Sequence, residues 1–119
     1  MITQVEVPAH IQPYVDVLGL KLTIDFLLAF GGGPLYLPGE RTHGDSRISE
    51  VIGSGKAVAL GKHLGKGMVR VPLAKPFIAA YLLANNVPVV EIARRLHVSD
   101  VSVRRWLPDR ELRQPGLFD

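Results

Sequence analysis

The sequence predicts a mainly α-helical chain in which tandem helix, Gly-turn and short-strand repeats, forming a small two-stranded antiparallel ribbon, are followed by a carboxy-terminal helix-turn-helix. Three observations carry that prediction. Apolar residues recur at helical spacing over residues 9–30 and again over 89–107. Glycines and a proline return in register at one constant offset, the shift that carries Gly19 onto Gly53. Two short runs, LYL at 35–37 and VRV at 69–71, each close on a proline, as short edge strands do. These features divide the 119 residues into a repeat platform at 1–73, with copies at about 9–38 and 46–72, a helix-turn-helix domain at 74–108 and a flexible tail at 109–119.

Residues 1–7 alternate too briefly to define an element, and Pro8 is placed to open a helix. Ile11, Tyr14, Val15, Leu18, Leu22, Phe26, Leu27 and Phe30 then form a dense apolar face, interrupted at Gly19, which predicts two consecutive helices with a hinge there. Gly31, Gly32 and Gly33 end the second helix, LYL follows as an extended stretch, and 39–45 is a polar loop. Under the repeat shift, Val17, Leu18 and Gly19 fall on Val51, Ile52 and Gly53, and Phe30, Gly31 and Gly33 fall on Leu64, Gly65 and Gly67. Leu35, Leu37 and Pro38 fall on Val69, Val71 and Pro72. The strand motif therefore comprises Gly31, Gly32, Tyr36, Gly65 and Gly67. Neither copy is large enough for its own core, so the two are expected to pack as a pseudo-two-fold pair whose strands form one antiparallel ribbon leaning on the helices. In that arrangement Gly31 and Gly65 have matching backbone roles, and a dimer forms instead through the apolar surface around Ile11, Tyr14 and Val15.

The stretch from Val87 to Leu107 is the most informative in the chain. Ile92, Ala93 and Leu96 make one apolar stripe over 89–97. Ser99 is a suitable N-cap, its hydroxyl accepting from free N–H groups of the next turn, and Asp100 suits the positive end of the helix dipole. A second short helix at 99–107 buries Val103 with Trp106 or Leu107 and stops before Pro108. In helix-turn-helix motifs a small residue sits five places into the first helix, a Gly at the turn, and an apolar residue six places later; Ala93, His97 and Val103 hold those places. His97 departs from the pattern and must accept a left-handed turn. Asp100, Val101, Ser102, Arg104 and Arg105 remain on the outer face as candidates to contact base edges in the major groove of double-stranded DNA, because Arg pairs with a guanine edge or with phosphate, Ser with either, and Val with a thymine methyl. Ser99, Arg94, Arg95, Lys75 and Arg70 are the phosphate candidates. The bland alternative is a solvated helix pair whose arginines serve solubility.

Composition sets the bounds. No Cys is present, so neither disulfides nor thiol-bound zinc stabilise the fold, and a chain this short gains from oligomerisation. An apolar fraction of 47% supports a core, no run reaches membrane-spanning length, and no signal peptide precedes the fold, so a cytoplasmic location in a bacterial or phage-infected cell is expected. The net charge of +3 is uneven: residues 1–40 carry −3, 41–74 carry +4 and 75–119 carry +2. GSGKA at 53–57 lacks the glycine spacing and the hydroxyl residue of a phosphate loop and reads as a helix start. His10, His43, His63 and His97 show no metal-ligand spacing, and no nucleophile has a base in reach; no metal, no cofactor and no enzymatic activity are expected.

The run FGGGPLYLP, together with EIARRLHVSDVSVRRWL, resembles the Mor (middle operon regulator)/C family of bacteriophage transcription activators. Phe30, Gly31, Gly32, Leu35, Tyr36 and Pro38 match the strand motif, and Glu91 to Ser99 match the start of the reader. The resemblance implies a helical dimerisation region, a strand after a GG turn, DNA binding as a homodimer and recruitment of RNA polymerase. The extra helix-Gly-strand copy is the departure, since Pro72 rather than Pro38 lies at the family's distance from the reader. The alternative is a phage or plasmid structural or adaptor protein using the same reader in packaging or replication. The tail bears on it: Gln114 followed by Leu117 and Phe118 resembles the peptide with which bacterial proteins dock on the replicative sliding clamp, while the same apolar pair could fold back over Trp106.

Overall fold

The computed structural model describes residues 5–38, 46–65 and 67–107. The described chain is mainly helical with one small antiparallel sheet, and it divides into two compact units, 8–74 and 75–107, the latter including residues 5–7. The tail residues Gln114, Leu117 and Phe118, the 39–45 loop and His43 lie outside the described residues.

The first unit begins with α1 (Gln12–Leu18), preceded by a turn in which the Ile11 N–H donates to the Pro8 carbonyl at 2.9 Å. The helix starts later than Pro8 suggests because Pro13 at its head, with φ already suited to a helix, sets the beginning. Gly19 separates it from α2 (Leu20–Phe30) at φ 81°, ψ 167°, and Gly53 separates α3 (Ser46–Ile52) from α4 (Ser54–Leu64) at φ 85°, ψ 153°. That backbone region is open to glycine and strained for any other residue. GSGKA is accordingly the beginning of α4.

Two strands complete the unit, β1 (Pro34–Tyr36) and β2 (Met68–Arg70), paired antiparallel within the chain in the register Pro34 to Arg70, Leu35 to Val69 and Tyr36 to Met68. Every element of 46–70 begins and ends at the repeat shift from its counterpart in 12–36, and the ribbon is centred on Leu35 and Val69, themselves repeat equivalents. Helix α1 packs on α4 and α2 on α3, so each half covers the other. The Val71 N–H donates to the Gly33 carbonyl at 2.9 Å and the Leu37 N–H to the Gly67 carbonyl, bonds that map onto each other under the same shift. Buried positions correspond too: Leu18 with Ile52, Phe26 with Leu60, Leu37 with Val71.

Two expectations are corrected here. Ile11 and Tyr14 are buried in the chain and Val15 half-buried, so they complete the core and offer no dimer surface; burial also pushes the Tyr14 phenol pKa upward. Gly31 and Gly65 do not share a backbone role. Gly31 is extended (φ −59°, ψ 141°) and lies against backbone, whereas Gly65 is left-handed (φ 75°, ψ 11°) and has open space where a side chain would start. The halves also approach each other differently. Gly31 sits where a Cβ would fall 2.9 Å from the Pro72 carbonyl oxygen, and the corresponding approach to Pro38 is made by Gly61, at 2.7 Å.

Phe26 anchors the core, fully buried, with its ring 5.7 Å from Tyr14 and 5.3 Å from Phe30. Beside it on α2, Thr23 is fully buried and its hydroxyl has no hydrogen-bond partner among the described residues. Its repeat equivalent, Ala57, is equally buried and has no hydroxyl to satisfy. Thr23→Val keeps the shape and removes the unsatisfied oxygen, and we expect it to stabilise the protein by about 1 kcal/mol, visible as a rise of a few degrees in Tm. A lowered Tm would mean that the hydroxyl has a partner.

Candidate nucleic-acid interface

The second unit contains three helices, α5 (Lys75–Ala84), α6 (Val89–Leu96) and α7 (Asp100–Trp106), each packed on the other two. Helix α5 supplies the base of the unit, burying Phe77, Ile78, Ala79, Leu82 and Leu83. It ends at Asn86, whose left-handed backbone (φ 68°) lets the Asn86 N–H reach the Leu83 carbonyl and the Val87 N–H the Leu82 carbonyl, both at 2.9 Å. Helix α6 ends in the same way. His97 is left-handed (φ 57°, ψ 46°), the His97 N–H donates to Arg94 O at 3.3 Å and the Val98 N–H to Ala93 O at 3.0 Å. Such a closure normally uses Gly, because a Cβ in this region costs about 1 kcal/mol. His97→Gly is therefore expected to raise stability by about that amount in a denaturant melt, without altering α7.

Helix α7 begins after a short turn. Ser99 caps it, its Oγ accepting from the Ser102 N–H at 3.2 Å and lying 3.3 Å from the Ser102 hydroxyl. Ala93 is buried together with Ile92, Leu96, Val103 and Leu107, as a close crossing of α6 and α7 requires. The residue that closes the apolar side is Leu107; Trp106 is only half-buried. At 3.6 residues per turn Val101, Arg104 and Arg105 fall within about 100° of arc on the opposite side, all exposed, with Asp100 and Ser102 at the margins. Val101, at 58% exposure, is an apolar residue held in solvent at the middle of a polar arc. The outer face of α7 is thus about 10 Å long and exposed at Val101, Arg104 and Arg105. Compared with known proteins, the chain matches no family model, no curated protein and no solved structure.

The outer residues of this unit are not equally free. Arg104 Nη1 donates to Asp100 Oδ2 one turn earlier on α7. On α6, Glu91 holds both Arg95, at 3.2 Å, and Arg94, at 3.6 Å. Arg105 has no ion-pair partner among the described residues. All these groups are substantially exposed, so the pairs orient side chains more than they stabilise the fold. Lys75 opens α5 and is half-buried. Arg70 belongs to the other unit, on the outward side of β2, and Tyr36 lies on the same side of the ribbon, 65% exposed, opposite Met68. Gly31 and Gly32 precede β1, and Gly65 and Gly67 precede β2. Structure therefore gathers Ser99, Asp100, Val101, Ser102, Arg104 and Arg105 on one short helix and its cap, sets Arg94 and Arg95 on the helix before it, and places Arg70 in the other unit. Sequence reasoning missed Glu91 as the tether of both α6 arginines. Its helical spacing from them was the available signal.

Among the described residues no three His, Asp or Glu side chains gather as a metal site. His63 Nε2 meets Asp16 Oδ2 at 3.8 Å on the surface. No helix among the described residues is long and apolar enough to cross a membrane.

Proposed function

We propose that this chain is a sequence-specific double-stranded DNA-binding regulator of transcription, of phage or prophage origin, in which α7 reads the major groove. The observation that carries this is the outward arc of Val101, Arg104 and Arg105 on a capped helix whose other side is locked by Val103 and Leu107. A protein–DNA interface needs a rigid element narrow enough for a groove about 12 Å wide, directed donors, and apolar atoms for thymine methyls. Helix α6, with Arg94 and Arg95, would cross the phosphate backbone. On this reading α6, the His97 turn and α7 form a helix-turn-helix, consistent with the resemblance of EIARRLHVS to the Mor family.

The common repeat shift, the exchanged packing and the centring of the ribbon on Leu35 and Val69 support a duplicated unit folded as an internal pseudo-two-fold pair. The ribbon that the Mor-like arrangement would build from two chains is then complete within one. A second reader, and with it a homodimer on a symmetric operator, would need a surface other than the ribbon and other than Ile11 and Tyr14.

Selection of bound duplexes from a random pool tests the proposal. The expected outcome is a short consensus, bound at least a thousandfold more tightly than scrambled duplex at physiological salt. Binding with no consensus and a steep salt slope would favour the adaptor role in packaging or replication, and binding to neither pool would remove DNA from the account.

A further inference from the structure

Of the polar side chains on the outer face of α7, Ser102 is engaged by the Ser99 cap and Arg104 by Asp100, leaving Arg105 as the unpaired donor among the described residues. Resting on the DNA reading above, we propose that Asp100 is a specificity-determining residue, which holds the Arg104 guanidinium for a base edge and opposes phosphate. The physical reason is competition. A free Arg on an exposed helix has many rotamers and finds phosphate oxygens on any sequence, so it adds affinity without discrimination. Tethered one turn back, the Arg104 guanidinium stays close to the helix surface, and its fork has N–H groups left over for a base edge. The carboxylate also cancels its charge toward the phosphate backbone. The balance on α6 is different: Arg94 and Arg95 share the single carboxylate of Glu91, so a net positive charge remains there for phosphate.

The test compares the parent with Asp100→Asn, Asp100→Glu and Arg104→Ala, each measured against the selected duplex and a scrambled duplex across a salt series. Asp100→Asn is expected to tighten binding to scrambled duplex about fivefold at about 0.1 M salt and to steepen its salt slope by about one, while the ratio of selected to scrambled affinity falls about tenfold. Asp100→Glu, which keeps a carboxylate one turn before Arg104, restores most of the ratio. Combining Asp100→Asn with Arg104→Ala gives the ratio of Arg104→Ala alone. A thermal melt of each variant confirms that α7 remains folded. If the parent discriminates and Asp100→Asn keeps its ratio, or weakens both duplexes equally, this inference is wrong and the DNA reading stands. A parent that binds neither duplex overturns both.

Discussion

Gly31→Ala is expected to destabilise the protein by about 2 to 3 kcal/mol, more than the same change at Gly33 or Gly65. The added Cβ would lie 2.6 Å from the Leu27 carbonyl oxygen and 2.9 Å from that of Pro72, both backbone atoms that no rotamer change can move aside. Relief requires both loosening the last turn of α2, where the Gly31 N–H donates to the Leu27 carbonyl at 2.8 Å, and moving it away from the segment after β2, where the Gly32 N–H donates to the Val71 carbonyl at 2.8 Å. The two other glycines calibrate the result. Gly65→Ala meets no atom within 4 Å but must hold φ 75°, which costs about 1 kcal/mol, and Gly33→Ala meets neither obstacle and stays within about 0.5 kcal/mol of the parent. Urea melts of the three variants give the order directly. Equal losses at Gly31 and Gly65 would contradict the distinct geometries of these positions and restore the matching roles that the repeat suggests.

Arg105→Ala is expected to weaken binding to the selected duplex by about 1 to 3 kcal/mol, a loss of roughly five- to 150-fold. Arg105 is the exposed cation of α7 without an ion-pair partner among the described residues, so on the proposed DNA reading its donors are available to a duplex and truncation leaves nothing in their place. Whether the loss is confined to one base position or uniform across sequences distinguishes a base-edge contact from a phosphate contact. Retained affinity and consensus would remove Arg105 from the interface.

How much of this was legible in the sequence depends on how local the determining physics is. The α6 and α7 pair is legible because its apolar stripe, its Ser99 cap and the break at His97 are all set within one or two turns. The ion pairs at Glu91 and Asp100 obey helix spacing and are equally readable, though only the structure shows that they leave Arg105 without an ion-pair partner among the described residues. Helix α5 escaped notice for the opposite reason. KPFIAAYLLA is apolar on nearly every side, so it carries no period, and its consecutive residues Phe77, Ile78 and Ala79 are all buried. In the platform the repeat shift anticipated element order and strand pairing, yet it misjudged Gly31 against Gly65. Identical letters do not fix a torsion when one position is closed by Pro72 and the other is open. The apolar stripe at Ile11 and Tyr14 gave no means of telling a core from a dimer face. That distinction depends on α4, which packs against α1 although it begins 36 residues later in the sequence than the end of α1 at Leu18.

The most direct test of the central claim is an amide and methyl shift map of the labelled protein titrated with its selected duplex. The account predicts the largest perturbations at residues 99–105, with the Val101 methyls and the Arg105 side chain foremost, smaller ones at Arg94 and Arg95, and little change at Val103 and Leu107 on the buried side. Perturbations confined to residues 8–74, with 99–105 unmoved at saturating duplex, would contradict it.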